Sequence, residues 1–188
     1  EFINKMKGKQ LSWRIPINHS QLYVNMSKIN IFWFRRDLRL SDNAGLYHAL
    51  RSNNPVLPLF IFDTNILDKL EDKQDARVEF LQQTIAGLSE ALEKQGSAIL
   101  VKYGKPQEIW AQILSDYEVA SVFTNRDYES YALERDAAVQ KLVEENSGSF
   151  HTFKDHVIFE KEEVLKKDDT PYTVFTPYSK RWKAKLAT

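Results

Sequence analysis

The chain has 188 residues, of which 43% are hydrophobic and 28% are charged, as is ordinary for one globular domain. Its 26 basic and 26 acidic side chains give a formal net charge of zero, which disfavours a dedicated, strongly basic nucleic-acid-binding module. The lack of cysteine excludes disulfides, thiol catalysis and cysteine-ligated metals, and no apolar run approaches the roughly 20 residues of a membrane-spanning helix. We therefore expect a cytoplasmic monomer that makes no membrane contact.

The head of the chain differs from the rest. Residues 1–25 are polar and lack periodicity, and Met26-Ser27-Lys28 looks like a natural start. We expect residues 1–25 to be a disordered upstream or vector-derived leader and residues 26–165 to form the folded domain. Residues 166–188 are turn-rich and then aromatic and basic, which is typical of the start of an interdomain linker.

From Ile29 onward, short apolar runs alternate with amphipathic segments. The first strand is predicted at Ile29–Phe34, and Ser41 or Asp42 is the predicted N-cap of a helix that runs to about Ser52. The remaining strands are predicted at Val56–Phe62, Ala98–Tyr103, Ser121–Asn125 and Ser149–Lys154. The helices between them are predicted at Asp75–Gln95, from Pro106 onward and at Tyr131–Glu145.

This alternation predicts right-handed βαβ units. The fold class is therefore α/β, with a five-stranded, doubly wound, Rossmann-like parallel sheet of order 3-2-1-4-5 and helices on both faces. Such sheets bind ligands at their carboxyl edge where the strand order reverses, here between strands one and four. The polar residues that follow those two strands are Arg35, Arg36, Asp37, Asn125, Arg126, Asp127 and Glu129. Asp63 and the segment Lys154-Asp155-His156 lie on the same edge.

The loops at this edge lack the glycines that hold nucleotide phosphates. No G-x-G-x-x-G follows strand one and no G-x-x-x-x-G-K-[ST] occurs, so an NAD site and a P-loop are disfavoured. The same absence disfavours a stand-alone nucleotide-binding domain of the universal-stress type. A ligand would instead be held by carboxylates and arginines, which suits a flat heterocycle such as a pterin or a flavin.

Structural interpretations of the same residues stay open. The arginines after strand one and Asp37 would then form a surface ion-pair network, Asp127 and Glu129 would cap the helix near Tyr131, and Asp63 would cap a helix of its own. The four histidines show no metal-ligand spacing, so no metal site is expected.

The segment Trp33-Phe34-Arg35-Arg36-Asp37-Leu38-Arg39-Leu40-Ser41-Asp42-Asn43 closely resembles the opening signature of DNA photolyases and cryptochromes. Further similar segments follow in the same order, at Pro58–Asp63, Arg77–Leu81, Asn125–Tyr131, Arg135-Asp136 and Pro171–Tyr178. The likeness extends from about Ile29 to Trp182, with Ser130 standing where the family often has proline.

The resemblance implies the N-terminal antenna domain of the family, most like that of a class I deoxyribodipyrimidine photolyase. Such a domain binds methenyltetrahydrofolate, a deazaflavin or a flavin and passes excitation to FAD, which splits pyrimidine dimers in DNA. The family's FAD, and most of its DNA contacts, belong to a C-terminal helical domain that this chain does not include. We therefore expect this chain alone to be non-catalytic. A cryptochrome photoreceptor is the alternative.

By motif match, the antenna pocket would be lined by Arg35, Arg36, Asp63, Asn125, Asp127, Glu129 and Arg135. Glu129 is the first choice to accept hydrogen bonds from the amino and ring N–H edge of a heterocycle. Trp33 and Trp110 are expected in the core. For the run Lys180–Lys183, contact with a DNA backbone competes with a linker helix whose Tyr178 and Trp182 pack on the domain's own surface.

Overall fold

The computed structural model describes residues 28–72 and 75–187, so the expected leader at 1–25 lies outside the described residues. Its strands are β1 (Ile29–Phe34), β2 (Val56–Asp63), β3 (Leu100–Gly104), β4 (Val119–Asn125) and β5 (Ser149–Phe153). Its helices are α1 (Ala44–Leu50), α2 (Thr64–Leu67), α3 (Ala76–Glu93), α4 (Pro106–Asp116), α5 (Ser130–Glu145) and α6 (Phe175–Leu186). A short 3₁₀ turn spans Lys161–Glu163.

The five strands form one parallel sheet in the order β3-β2-β1-β4-β5, which confirms the predicted topology. β1 lies at the centre and pairs with β2 on one side and β4 on the other. Because the strands are parallel, the carboxyl ends of β1 and β4 meet at one edge. This edge is the reversal point at which doubly wound sheets bind ligands.

The alternating side chains of β1 divide the core between the two faces of the sheet. Phe32 and Phe34 pack in one buried cluster, which includes Leu46 of α1 and Ile85 of α3. Ile31 and Trp33 contribute to the second cluster, with residues of α4 and α5. Helices therefore cover both faces, as predicted from the alternation of strands and helices.

The predicted core tryptophans are confirmed. Trp110 is fully buried and Trp33 is 2% exposed, and their rings meet edge to face with centroids 5.4 Å apart. Burial of two such large rings accounts for much of the apolar area of this cluster.

Two local predictions need correction. The N-cap of α1 is Asn43, whose side chain accepts a hydrogen bond from the backbone N–H of Leu46, and Ser41 and Asp42 precede it. The helix α2 is missing from the predicted helix bounds, because its four residues are too few to show helical periodicity. Asp63 caps α2 by accepting from the backbone N–H of Asn65, as one of the two interpretations of this residue proposed.

The end of the chain is helical. In α6, Trp182 contacts Phe159 edge to face at 5.5 Å, and Tyr178 contacts Tyr172 at 6.0 Å. These contacts agree with the linker-helix interpretation, although both partners belong to the segment that follows β5. No helix within residues 28–72 and 75–187 combines the length and apolar character that crossing a bilayer requires.

We predict that Gly45→Ala destabilises the fold. A Cβ at this position of α1 would lie 2.7 Å from Asn125 Oδ1 and 2.9 Å from the Phe32 ring. The surrounding residues would have to shift to make room for the added methyl group. This shift should lower the free energy of unfolding by about 1–3 kcal/mol. The matched control is Gly87→Ala in α3, where nothing lies within 4 Å of the added atom. That change should be neutral or stabilising by up to about 1 kcal/mol. Urea denaturation followed by tryptophan fluorescence would measure both, and equal effects would contradict the close approach of α1 to β4.

Candidate functional site

Asn125, at the carboxyl end of β4, is 1% exposed and joins three elements. Its side-chain amide donates to Asp37 Oδ2 at 2.5 Å and to Asn43 Oδ1 at 2.8 Å. Its Oδ1 accepts from the backbone N–H of Gly45 at 2.8 Å. Asn125 therefore lies beneath the predicted site, where it holds the loop after β1 and the start of α1 against β4.

Arg35 and Arg36 are neighbours in the chain, but their side chains diverge. The guanidinium of Arg35 is 7% exposed and donates to the carboxylate of Asp136 and to the backbone carbonyl of Asn125. Its central carbon lies 5.2 Å from the centroid of the Trp33 ring. Arg35 is therefore part of the buried structure on the α5 side of the sheet.

Arg135 belongs to the same buried group. Its guanidinium is 8% exposed, donates to Asp136 at 2.9 Å, and lies 5.1 Å from the Trp33 ring centroid. Two guanidinium groups thus share one carboxylate, and both lie within cation–π distance of the Trp33 ring. The surface ion-pair network considered for this region is wrong for Arg35 and also for Asp37, which is 3% exposed.

Asp63 also lies away from Arg36. In addition to capping α2, its carboxylate accepts from the hydroxyl of Tyr131 at 2.5 Å. The ring of Tyr131 lies 5.8 Å from the guanidinium carbon of Arg135. Asp63 is therefore bound into the buried contacts between β2 and α5.

An open cleft of about 480 Å³ lies at the edge where β1 and β4 meet, lined by Arg36, Asp127, Tyr128, Glu129 and His156. We call it the β1/β4 cleft. Its volume falls in the range of about 300–1,000 Å³ typical of small-molecule sites. Three of the seven predicted site residues line it, namely Arg36, Asp127 and Glu129.

Arg36 faces both acids of the β1/β4 cleft. Its Nη1 donates to Glu129 Oε1 at 2.7 Å and lies 3.4 Å from Asp127 Oδ1. Arg36 and Glu129 are 56% and 69% exposed, whereas Asp127 is 8% exposed. The cleft therefore has a buried acid at its base and an exposed ion pair at its mouth.

The electrostatics favour the ionised forms of Arg36 and Asp127. The hydrogen bond to Glu129 raises the pKa of Arg36 above its usual value, with a further contribution from the charge of Asp127. Burial acts to raise the pKa of Asp127. Hydrogen bonds from the backbone N–H groups of Tyr128 and Glu129, together with the charge of Arg36, outweigh burial, so the pKa of Asp127 is lowered. One cation then faces two anions, which favours a ligand that presents N–H donors.

Helix capping does not account for the two acids. Glu129 occupies the N-cap position of α5, but its side chain makes no hydrogen bond to the helix. Asp127 accepts from the backbone N–H of Tyr128 at 2.8 Å, before the helix begins. Glu129 and Asp127 instead face Arg36 across the cleft.

Two cleft residues, Tyr128 and His156, were not predicted as site residues. Tyr128 stands between the two predicted acids, and His156 follows β5 in a loop that had been placed on the correct edge. If side chains after β4 alternated between the two sides of the chain, Tyr128 would point away from its neighbours Asp127 and Glu129. All three residues instead line the cleft, so strand-like alternation would not have indicated Tyr128. The direction of its side chain depends on a contact with Glu160.

The fold also gathers Asp37, Asp155 and His156, whose potential ligand atoms lie within 4.8 Å of one another. Histidine spacing in the sequence gave no sign of this group. Both carboxylates have hydrogen-bonding roles, since Asp155 accepts from the backbone N–H of Ala44 at 3.0 Å and from Arg39 at 2.8 Å. Asp37 is likewise engaged by Asn125, so these contacts explain the group as part of the scaffold.

The chain matches the DNA photolyase family over residues 30–188. It is 32% identical over 156 residues to an uncharacterised 31.6 kDa protein of Synechococcus sp. (strain PCC 6716), covering 83% of this chain and 55% of that protein. It is 32% identical over 154 residues to a deoxyribodipyrimidine photo-lyase of Synechococcus sp. (strain ATCC 27144), and the match covers 82% of this chain and 32% of that protein. A chloroplastic/mitochondrial cryptochrome DASH of Arabidopsis thaliana is 28% identical over 152 residues, covering 78% and 26%.

Two solved structures share the fold. A bacterial class III photolyase from Agrobacterium tumefaciens superimposes with a TM-score of 0.73 at 28% identity, covering 86% of this chain and 32% of that one. An archaeal photolyase from Sulfolobus tokodaii, whose structure has two FAD molecules, gives a TM-score of 0.69 at 30% identity, covering 81% and 34%. The chain thus spans between about a quarter and about half of the length of these relatives. The sequence match and the shared fold together show that this chain belongs to the DNA photolyase family.

Proposed function

We propose that residues 26–165 form an antenna domain that binds a flat heterocyclic chromophore in the β1/β4 cleft. The observation that carries this proposal is the placement of two carboxylates and one arginine at the reversal point of the sheet. Side chains that form hydrogen bonds there take the place of the glycine-rich phosphate loop that the sequence lacks.

The residues of the β1/β4 cleft fit the edge of a pterin or a flavin. Glu129 is exposed and would accept hydrogen bonds from the amino and ring N–H groups of the heterocycle, with Asp127 behind it. Arg36 would donate to a carbonyl or anionic oxygen, and the ring of Tyr128 offers a surface for stacking. Methenyltetrahydrofolate, a deazaflavin and a flavin meet these requirements, and each would supply absorption of near-ultraviolet or blue light.

The other predicted site residues have a supporting role in this proposal. Asn125 fixes the base of the cleft, and Arg35, Arg135 and Asp63 stabilise the neighbouring elements from the α5 side. The prediction that these four residues touch the chromophore is replaced by the proposal that they hold the cleft in shape.

At the level of the whole protein, we propose a light-driven deoxyribodipyrimidine photo-lyase. Photolyases among the relatives support this assignment. FAD and most contacts with dimer-containing DNA would belong to a helical domain beyond the residues of this chain, to which residues 166–188 begin the connection. The antenna would pass its excitation to that FAD.

A cryptochrome photoreceptor is the second candidate, and the match to a cryptochrome DASH favours it. The class I assignment stays a prediction, since the similar structures include a class III and an archaeal photolyase. Repair activity of the whole protein separates the two functions.

We predict that Glu129→Ala weakens chromophore binding about 10- to 100-fold, because a hydrogen bond to a charged acceptor is lost. The matched control is Glu108→Ala, since Glu108 is also 69% exposed and also belongs to an exposed ion pair. Fluorescence titrations with methenyltetrahydrofolate, flavin mononucleotide and a deazaflavin would measure the dissociation constants. Neither change should shift the unfolding free energy by more than about 0.5 kcal/mol. Equal affinities in both variants would place the site elsewhere, and no binding of any chromophore to the unaltered chain would refute the proposal.

We also predict that the 188-residue chain does not repair DNA on its own. Oligonucleotides containing cyclobutane pyrimidine dimers should remain unrepaired after incubation with the chain, added FAD and blue light. Chromatography of the products would detect restored thymines, with an intact photolyase as the positive control. Any repair above the level of a sample without protein would contradict the assignment of the chemistry to another domain.

A further inference from the structure

The loop that follows β4 is held from two sides. Asp127 and Glu129 face Arg36 of the β1/β4 cleft, whereas Arg126 and Tyr128 reach Glu160 in the segment after β5. Glu160 does not line the cleft, but Tyr128 does. Any influence of Glu160 on the cleft would therefore act through Tyr128 or Arg126, its two side-chain partners in this loop.

Glu160 engages both of its carboxylate oxygens. The hydroxyl of Tyr128 donates to Oε1, and Nη1 of Arg126 donates to Oε2, each at 2.5 Å. The carboxylate is 10% exposed, and Arg126 is held in turn by Thr152 Oγ1 of β5 at 3.1 Å. The same side chain also accepts from the backbone N–H of Glu163 as the N-cap of the 3₁₀ turn. Held by these donors, the carboxylate fixes the position of the phenol relative to the sheet.

The backbone of Glu160 is also fixed. Its N–H donates to the carboxylate of Glu163, and its carbonyl accepts from the N–H of Glu163 at 2.7 Å. Lys154, just after β5, donates to the same Glu163 carboxylate at 2.8 Å. The anchor for Tyr128 is thus attached to β5 through a short chain of hydrogen bonds.

We propose that Glu160 is a positioning residue for chromophore binding: it holds the ring of Tyr128 as a fixed wall of the β1/β4 cleft, against which a flat heterocycle stacks. This inference rests on the proposed function. A ring that is already fixed loses little conformational entropy when a ligand packs on it, so the wall gains affinity by preorganisation.

The protonation state of the phenol agrees with this role. Burial, followed by the hydrogen bond to Glu160, raises the pKa of Tyr128 above its usual value. The hydroxyl therefore keeps its proton at neutral pH and remains a hydrogen-bond donor to Glu160 Oε1.

A double-mutant cycle on chromophore affinity tests the coupling. Glu160→Ala should weaken binding of flavin mononucleotide and methenyltetrahydrofolate about 2- to 10-fold, the range expected for loss of an aromatic contact. In a Tyr128→Ala background the same change should have no further effect, because the wall is already absent. Glu162→Ala, at an exposed position of the same 3₁₀ turn, should leave affinity unchanged. A loss in the Tyr128→Ala background as large as in the unaltered chain would overturn the proposal.

The conservative change Glu160→Gln separates the hydrogen bond with Tyr128 from the ion pair with Arg126. Its side-chain carbonyl still accepts from the phenol, so affinity should stay within about twofold of the unaltered chain although the charge opposite Arg126 is lost. If Glu160→Gln weakens binding as much as Glu160→Ala, the ion pair with Arg126 matters and the contact with Tyr128 does not.

Hydrogen exchange of the ligand-free chain gives a readout independent of any chromophore. Amides of residues 126–129 should exchange faster in Glu160→Ala than in the unaltered chain, and Glu162→Ala should match the unaltered chain. Unchanged exchange in Glu160→Ala would refute the positioning role whatever the binding data show. Faster exchange in a chain that binds neither chromophore would instead retain the role of Glu160 in holding Tyr128 and refute the proposed function.

Discussion

The hydrogen bonds of one buried amide, that of Asn125, determine the geometry of the site. They join β4 to Asp37 after β1 and to the first turn of α1, at the point where the strand order of the sheet reverses. A buried amide without partners is destabilising by about 1–3 kcal/mol, so the three elements are held at one separation. Gly45 is required there because its backbone N–H must come within hydrogen-bonding distance of Asn125, and a side chain would occupy that space.

The β1/β4 cleft forms above this buried contact, because successive side chains after β1 leave the sheet in different directions. Arg35 enters the buried group with Asp136 and Trp33, whereas Arg36 enters the cleft. A buried guanidinium is tolerated only where its N–H groups have acceptors, and Asp136 with the carbonyl of Asn125 supplies them. Arg36 is about half exposed, so water can satisfy those of its N–H groups that have no protein acceptor. Its guanidinium would therefore be accessible to the proposed ligand.

The sequence predicted the sheet order because it follows from the alternation of strands and helices. The polarity of the loops indicated the edge at which the β1/β4 cleft lies. The sequence also predicted Arg36, Asp127 and Glu129 at this edge, since each directly follows β1 or β4. It did not distinguish them from Arg35 and Arg135, because the direction of a side chain beyond a strand end depends on tertiary partners such as Asp136. The N-cap of α1 was misplaced because Ser41, Asp42 and Asn43 are all favoured cap residues, and the sequence does not show which of them meets the N–H of Leu46.

The contacts at the base of the cleft are buried, whereas the ion pair at its mouth is exposed. The bonds of Asn125 and Asp37 are buried and would be costly to break, so the base of the cleft keeps its shape when a ligand arrives or leaves. The ion pair between Arg36 and Glu129 is exposed. Exposed pairs contribute only about 0–1 kcal/mol, so the proposed heterocycle would displace one partner from the other at little cost. Glu129 would then exchange a contact with Arg36 for N–H donors of the ligand, and Arg36 would turn to a ligand oxygen. A rigid base with a replaceable ion pair above it would give the proposed chromophore a defined orientation, which excitation transfer to a second chromophore requires.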